Sequence, residues 1–140
     1  MTSRFLYPIR VYYEDTDAEG VVYHANYLKF FERARVESFR QMGMDLNSLK
    51  NDNCLFVVRA LDMAFLQPAR LDQLLQVESE VMEVKYASIH YRQKVYEQAM
   101  NATLLCEATV HLVCLDTKWH PRRVPEKVKR GLNQWQQNIH

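Results

Sequence analysis

The chain has 140 residues, a formal charge of +1, 48% hydrophobic and 25% charged residues. That is the make-up of one globular domain, spanning residues 1–140 and large enough to bury a core without disulfides. A charge so near zero excludes an overall basic field for nucleic acid and leaves only a local groove for such a role. The three cysteines, Cys54, Cys106 and Cys114, are odd in number and lack CxxC or Cys/His spacing. Reduced thiols in a cytosolic protein are the simplest reading. The N-terminal Met-Thr-Ser-Arg-Phe-Leu-Tyr-Pro lacks the apolar core of a signal peptide. No run approaches the roughly 20 apolar residues of a spanning helix.

Arg4 to Tyr13 reads as a strand, with Pro8 early enough for an edge or bulge. Glu14 to Gly20 reads as a loop. From His24 to Met42 the pattern is helical: Leu28, Phe31, Ala34, Ser38, Phe39 and Met42 recur at three- and four-residue steps as one buried stripe. Lys29, Glu32, Arg33, Glu37 and Arg40 lie opposite, and Gly43 suits a C-cap. Asp45 to Asn51 reads as a second short helical turn.

Four strands follow. Leu55 to Leu66 is apolar and ends at Gln67-Pro68. In Leu75 to Val84, Leu75, Val77 and Val81 face one way while Gln76, Glu78 and Glu80 face the other. Ser88 to Tyr96 is more polar. From Leu104 to Cys114 the alternation is unbroken, a strong strand signal that also places Cys106 and Cys114 on one face as small apolar residues. Pro121 and Pro125 break the pattern, and Val128 to Gln137 reads as a short terminal helix. The class is α+β. A strand, a long helix and a four-stranded meander require the sheet to cover the helix. One sheet over one helix leaves an open edge or face, so self-association is expected.

The chemistry concentrates in one window, Tyr13-Glu-Asp-Thr-Asp17-Ala-Glu-Gly20-Val-Val-Tyr23-His24-Ala-Asn26-Tyr27. A carboxylate just before a helix N-terminus sits beside oriented N–H groups that can hold a negative oxygen, which suits acyl transfer or hydrolysis. Acids before a helix also serve as caps and dipole partners. Asp15-x-Asp17-x-Glu19-Gly20 copies the first half of a calcium loop, but Asn26 stands where that loop needs a bidentate Glu. His24, Asp17 and Glu14 offer zinc ligands, yet no second His follows at helical spacing. His90, His111 and His120 are each isolated and read as surface or interface residues. There is no GxSxG elbow, no cysteine in a polar loop, and no glycine-rich phosphate loop.

The window, continuing into Phe31-Glu-Arg-Ala-Arg35, resembles the YbgC-like branch of the 4-hydroxybenzoyl-CoA thioesterase family, which has the hotdog fold. Phe56-Val-Val-Arg59, Pro68-Ala-Arg-Leu-Asp72, Val113-Cys-Leu-Asp116 and the prolines at 121 and 125 carry the same resemblance, which covers nearly the whole chain. It implies an antiparallel sheet around one long helix, and dimers or dimers of dimers with active sites at the interface. It implies cleavage of acyl-CoA to free acid and CoA without metal or organic cofactor. It also implies a link to the Tol-Pal envelope system, with acyl carrier protein and phospholipid-synthesis enzymes as partners and a cytoplasmic location peripheral to the inner membrane.

On the matching positions the resemblance makes Asp17 the catalytic carboxylate, as nucleophile or as base for water, with Tyr13 and His24 as partners. The backbone N–H of His24 is the expected oxyanion donor. Glu19 departs from the branch, which usually has a small residue there. Asp15 and Glu14 are rival carboxylates, read as loop-stabilising or exposed; Glu32 and Glu37 are rivals on the helix. Asn26 reads as structural, bonding loop backbone. CoA phosphates need cations: Arg59, which interrupts the apolar series Leu55, Val57, Leu61, Met63 and Phe65, is the first candidate. Lys85, Arg92, Arg122 and Arg123 follow, and Tyr23 is a further substrate contact. Pocket depth is expected to depend on Tyr23, Tyr27, Phe56 and Phe65. A non-catalytic acyl-binding scaffold is the competing function.

Overall fold

The computed structural model describes residues 4–98 and 102–137, with side chains as far as residue 134. In chain order it contains β1 (Arg4–Arg10), a 3-10 turn (Tyr13–Asp15), α1 (Asn26–Gln41) and α2 (Leu46–Asn51). Then come β2 (Leu55–Phe65), β3 (Leu74–Val84), β4 (Ser88–Glu97), β5 (Leu104–Leu115) and α3 (Glu126–Gln137). The five strands form one antiparallel sheet in the order β1-β3-β4-β5-β2.

Only β3, β4 and β5 form a meander. The fourth expected neighbour, β2, pairs with β5 and lies at the far edge. The chain must therefore cross the end of the sheet between Phe65 and Leu74. On the way its Ala69 carbonyl takes the Val22 N–H at 2.8 Å, and Arg70 bridges Val21. This crossover brings residues 66–69 against the acidic window.

Helix α1 packs on β1 and β3. Its buried face is Tyr27, Phe30, Phe31, Ala34, Arg35, Ser38 and Phe39, so the stripe is rotated from the expected one. Phe30 is fully buried, whereas Leu28 is 41% exposed and faces the uncovered β2 end of the sheet. The helix stops where Gly43 takes a φ of +82°, a conformation that glycine adopts without steric cost. Asp45 caps α2 by accepting the Ser48 N–H at 2.7 Å.

Beneath α1 lies a polar cluster in an otherwise apolar core. The Arg35 guanidinium donates to Gln93 Oε1 at 2.8 Å; Gln93 Nε2 donates to the Phe31 carbonyl and to Ser79 Oγ. Burial holds the Arg35 pKa below its usual value. Cys54, Cys106 and Cys114 are all free and buried, as expected of small apolar residues, and burial pushes the Cys106 thiol up to about 12.

β-Bulges reset the faces read from parity. In β2, Val58 pairs with Leu112 and Ala60 with His111, so Arg59 is the extra residue. The inward residues are therefore Phe56 and Val58 before the bulge, then Leu61, Met63 and Phe65. Arg59 does not interrupt an apolar face; the bulge ejects it from the alternation.

His90 and His111 are not isolated. They stand directly opposite on β4 and β5, and their rings stack with centroids 4.0 Å apart and planes 7° from parallel. Burial, then the His111 ring, then Lys85 hold the His90 pKa below the ordinary imidazole value, with Glu83 opposing them. Such a group takes up its proton more readily in the unfolded chain. Its contribution to stability is therefore present above the unfolded value of 6.5 and is lost as pH falls from there toward the folded value. Thermal unfolding followed from about pH 7.5 down to about 5.5 is expected to show a falling Tm that flattens in His90→Gln. Identical profiles for the two proteins would remove His90 as the origin.

Candidate active site

After β1 the chain is turned by a buried carboxylate. Asp15, 4% exposed, accepts the Tyr12 N–H on Oδ2 at 2.9 Å and Asn26 Nδ2 on Oδ1 at 3.0 Å, and its carbonyl accepts the Tyr23 N–H at 2.9 Å. One residue thus ties the turn to the segment before α1 and to its first residue. Asn26 is structural as expected, but its partner is this side chain rather than loop backbone. Asp15 is loop-stabilising and not exposed.

The next residues form a tight reversal. The Asp17 N–H donates to the Val21 carbonyl at 2.9 Å and its carbonyl accepts from Gly20 at 3.1 Å, with Gly20 at a φ of +80°. Asp17 Oδ1 accepts the Glu19 N–H at 2.9 Å, a local turn that fixes the carboxylate. Glu19 itself is exposed, and its backbone rather than its charge touches the site.

Asp17 and His24 line one cleft of about 340 Å³ together with Val22, Tyr27, Phe65 and the crossover residues Leu66, Gln67 and Pro68. The His24 ring lies 4.5 Å from Tyr23 and meets the edge of Phe65 at 6.3 Å. Tyr27 is buried against Phe65 and Phe30, and its hydroxyl accepts the Ala69 N–H at 3.3 Å. Burial is the main cause that raises the Tyr27 pKa, so the phenol stays protonated. The backbone N–H of His24, two residues before α1, has no acceptor among the described residues.

The other expected site residues separate. Tyr13 lies outside this cleft on the 3-10 turn, 82% exposed, with its carbonyl occupied by the Thr16 N–H and hydroxyl. Tyr23 is 47% exposed beside His24. Arg59 is ejected at its bulge. Lys85, ion-paired with Glu83 at 3.5 Å, follows the end of β3 farthest from Phe65, whose partner chain across the sheet is Cys106 and Val95. Arg92 lies on the outer face of the sheet in a groove with Asp62, Lys94, Glu107 and Thr109. These cations make no single rim in one protomer. Glu32 lines a different groove with Leu28, Arg35 and Leu61, about 12 Å along the helix from His24, and Glu37 pairs with Arg40. Phe56 stacks on Phe39 at 5.5 Å and does not reach the cleft. The crossover residues of the wall carried no signal except the strand-ending Gln67-Pro68, because their position depends on which edge β2 joins.

Residues 11–132 match the model of the thioesterase-like superfamily, and the chain belongs to that superfamily. The fold is its hotdog, a sheet wrapped on one long helix. Among its relatives are the acyl-CoA thioesterases called YbgC. The chain is 47% identical over 135 residues to the acyl-CoA thioesterase YbgC of Haemophilus influenzae, covering 95% of this chain and 97% of that one. It is 43% identical over 128 residues to the acyl-CoA thioester hydrolase YbgC of Escherichia coli O157:H7, covering 91% and 94%. The crystal structure of a probable thioesterase from Bartonella henselae aligns with a TM-score of 0.81 at 34% identity, covering 88% of this chain and 100% of that one. A Staphylococcus aureus protein solved in complex with CoA shares the fold, with a TM-score of 0.90 at 16% identity, covering 100% of this chain and 88% of that one.

Asn26→Ala removes one of the bonds that hold the buried Asp15 carboxylate. Bonds to charged groups contribute about 1.5–3 kcal/mol, and a loss of that size in urea unfolding is expected. Thioester turnover is expected to drop as well, because the Asp17 reversal hangs from the same turn. Unchanged stability would show that Asp15 does not depend on Asn26.

Proposed function

We propose that this chain hydrolyses acyl-CoA thioesters to free acid and CoA at the cleft between the Asp17 reversal and the start of α1. The observation that carries the reading is the shared cleft itself. The Asp17 carboxylate, held by the Glu19 N–H, shares it with His24, whose backbone N–H has no acceptor among the described residues, and with the apolar Tyr27, Phe65 and Pro68. Asp17 Oδ1 is taken by the Glu19 N–H, which leaves Oδ2 for the thioester carbon or for a water proton.

In the first route Oδ2 adds to the thioester carbon and the carbonyl oxygen becomes an oxyanion received by the His24 N–H. Collapse breaks the C–S bond and releases the CoA thiolate, and water then hydrolyses the mixed anhydride. In the second, Asp17 takes a proton from water as the water adds, and the same C–S bond breaks. A thiolate is a good leaving group, so neither route needs strong protonation of sulfur. Tyr27, Phe65 and Pro68 take the acyl group. The His24 ring is placed to orient water or the thioester, and Tyr13 to contact substrate only at the rim.

The site completes itself in a homodimer. Among the described residues the outer edge of β2 pairs with no strand, and Val58, Leu61 and Phe65 on its inner side are 40–52% exposed, with Leu28 of α1 beside them. Pairing β2 with β2 of a second copy satisfies the edge and covers this apolar face. Arg59 lies on the strand that forms this seam, and Arg92 lies nearby on the outer face. They remain the candidates for the CoA phosphates, whereas Lys85 sits at the wrong end of the sheet. Thioesters of acyl carrier protein present the same bond to the same cleft.

Thiol release from a panel of acyl-CoAs, with the protein's own three cysteines subtracted, tests the chemistry. Turnover by the wild type and a loss of at least about a hundredfold in Asp17→Asn is expected, about 3 kcal/mol of transition-state stabilisation. Equal rates in both would move the catalytic carboxylate to Glu32 or Glu37. No turnover on any thioester would overturn the hydrolase reading in favour of an acyl-binding scaffold. For the assembly, Leu61→Lys is expected to shift sedimentation from dimer to monomer with the thermal transition retained. A dimer that survives the charge would place the seam elsewhere.

A further inference from the structure

Two of the three thiols meet at the end of the sheet that the hydrolytic cleft does not use. Cys54 follows α2 and immediately precedes β2, and Cys114 lies near the end of β5, two residues of β2 along from it in register with Phe56. Both side chains are buried, and their sulfurs stand 3.4 Å apart. Phe65, which lines the cleft, lies at the other end of β2, about 33 Å along the strand. Cys106 is in register with Phe65 at that other end and takes no part in the pair.

We propose that Cys54 and Cys114 are a peroxide-oxidisable pair that closes to an intramolecular disulfide and locks the α2–β2 corner to β5. A disulfide bond is about 2.05 Å long, so the two sulfurs have about 1.4 Å to close, within reach of small side-chain rotations. The backbone is held on both sides of the gap. The Cys54 N–H donates to the Leu49 carbonyl at 2.9 Å and the Cys114 N–H to the Ala87 carbonyl at 2.8 Å. The linkage would close a ring of chain that contains β2, β3, β4 and most of β5, so it constrains the unfolded chain and stabilises the fold.

The two thiols have different parts. Arg122 donates to the Asp52 and Asn53 carbonyls at 3.2 and 3.0 Å, and Lys127 pairs with Asp52 at 2.7 Å, so two cations are held at the approach to Cys54. The hydrogen bond from Cys114 is the main cause that lowers the Cys54 pKa; Arg122 and Lys127 add to it, and burial opposes them. The same bond, with burial, raises that of Cys114. Cys54 is therefore the thiolate that reacts first, and Cys114 resolves it. The Cys54 thiolate attacks one oxygen of hydrogen peroxide, the O–O bond breaks, and Cys54 sulfenic acid and hydroxide form. The Cys114 sulfur then attacks the Cys54 sulfur. The S–S bond forms, the S–O bond breaks, and the departing hydroxide leaves as water with the Cys114 proton. Two thiols are oxidised and one peroxide is reduced to two waters. Peroxide reaches Cys54 through local opening of the corner, where Asp52 and Asn53 are exposed and α2 has only 6 residues.

The test treats the reduced full chain with hydrogen peroxide under native conditions, then unfolds it, alkylates the remaining thiols and maps unreduced peptides by mass spectrometry. Cleavage after Lys, Arg and Glu separates Cys106 from Cys114 at Glu107. The expected product is a Cys54–Cys114 linked peptide within one chain, with Cys106 still alkylated. The oxidised protein should melt at least about 5 °C higher than the reduced one, and dithiothreitol should reverse both changes. Cys106→Ala should cross-link as the wild type does. In Cys114→Ala, Cys54 should stop at a sulfenic acid that dimedone traps, whereas in Cys54→Ala the Cys114 thiol should stay unreacted. The wild type and Cys106→Ala decide the linkage even where a variant of the pair fails to fold. Cys54 oxidised to sulfinic acid with no linked peptide would overturn the proposal. So would a linkage through Cys106 or between two chains, or thiols that stay unreacted until the protein is unfolded.

Discussion

The site depends on one buried carboxylate whose two oxygens are both hydrogen-bonded. Asp15 is the point where the end of β1, the acidic turn and the start of α1 are tied together, through its bonds with the Tyr12 N–H, Asn26 and the Tyr23 N–H. A buried acid is costly unless its oxygens are satisfied, and here both accept a hydrogen bond. The consequence is geometric. With the turn pinned, the next residues can reverse only tightly, and Gly20 accepts the positive φ that this requires. Asp17 then leaves the turn facing the cleft, with one oxygen held and the other available.

The second constraint is one of area. A single helix of 16 residues packs on β1 and β3 but leaves Val58, Leu61 and Phe65 on the inner side of β2 exposed. The molecule thus has a buried half and an apolar, open-edged half. The same asymmetry makes the cleft: Phe65 belongs to the less covered strand and Tyr27 to the helix, and the cleft wall is where they meet. The proposed dimer seam and the cleft therefore share one uncovered face, and a charge at Leu61 tests the seam while leaving Asp17 in place.

Much of this was legible in the residues. The three helices, the five strands and their order along the chain follow from periodicity, glycine and proline, and the Asp17–His24 cluster from the density of polar groups in one window. Pairing was not. Nothing local says that β2 joins β5 rather than β3, because the choice is made by the crossover 66–73 docking on residues 21–22. Bulges were also invisible. A bulge adds one residue and inverts the parity beyond it, so Arg59 looked like a charge on an apolar face when it is the residue the strand discards. Leu28 and Phe30 exchanged places for a related reason: a helix stripe read from spacing does not say where the sheet lies beneath it.

Register also decides what the outer face can do. Glu83, His90 and His111 are scattered along 29 positions of sequence, and each alone reads as an ordinary surface residue. Antiparallel pairing places them in one row, because each strand contributes one residue to every level of the sheet. The two faces divide the work by the same alternation. Residues on one side of β4 and β5 build the core beneath α1, and their sequence neighbours on the other side are left to meet solvent and ions. A change on the outer row therefore leaves the packing that holds Asp17 undisturbed. The converse does not hold, since loosening β4 in the core would shift His90 relative to His111 and undo the stack.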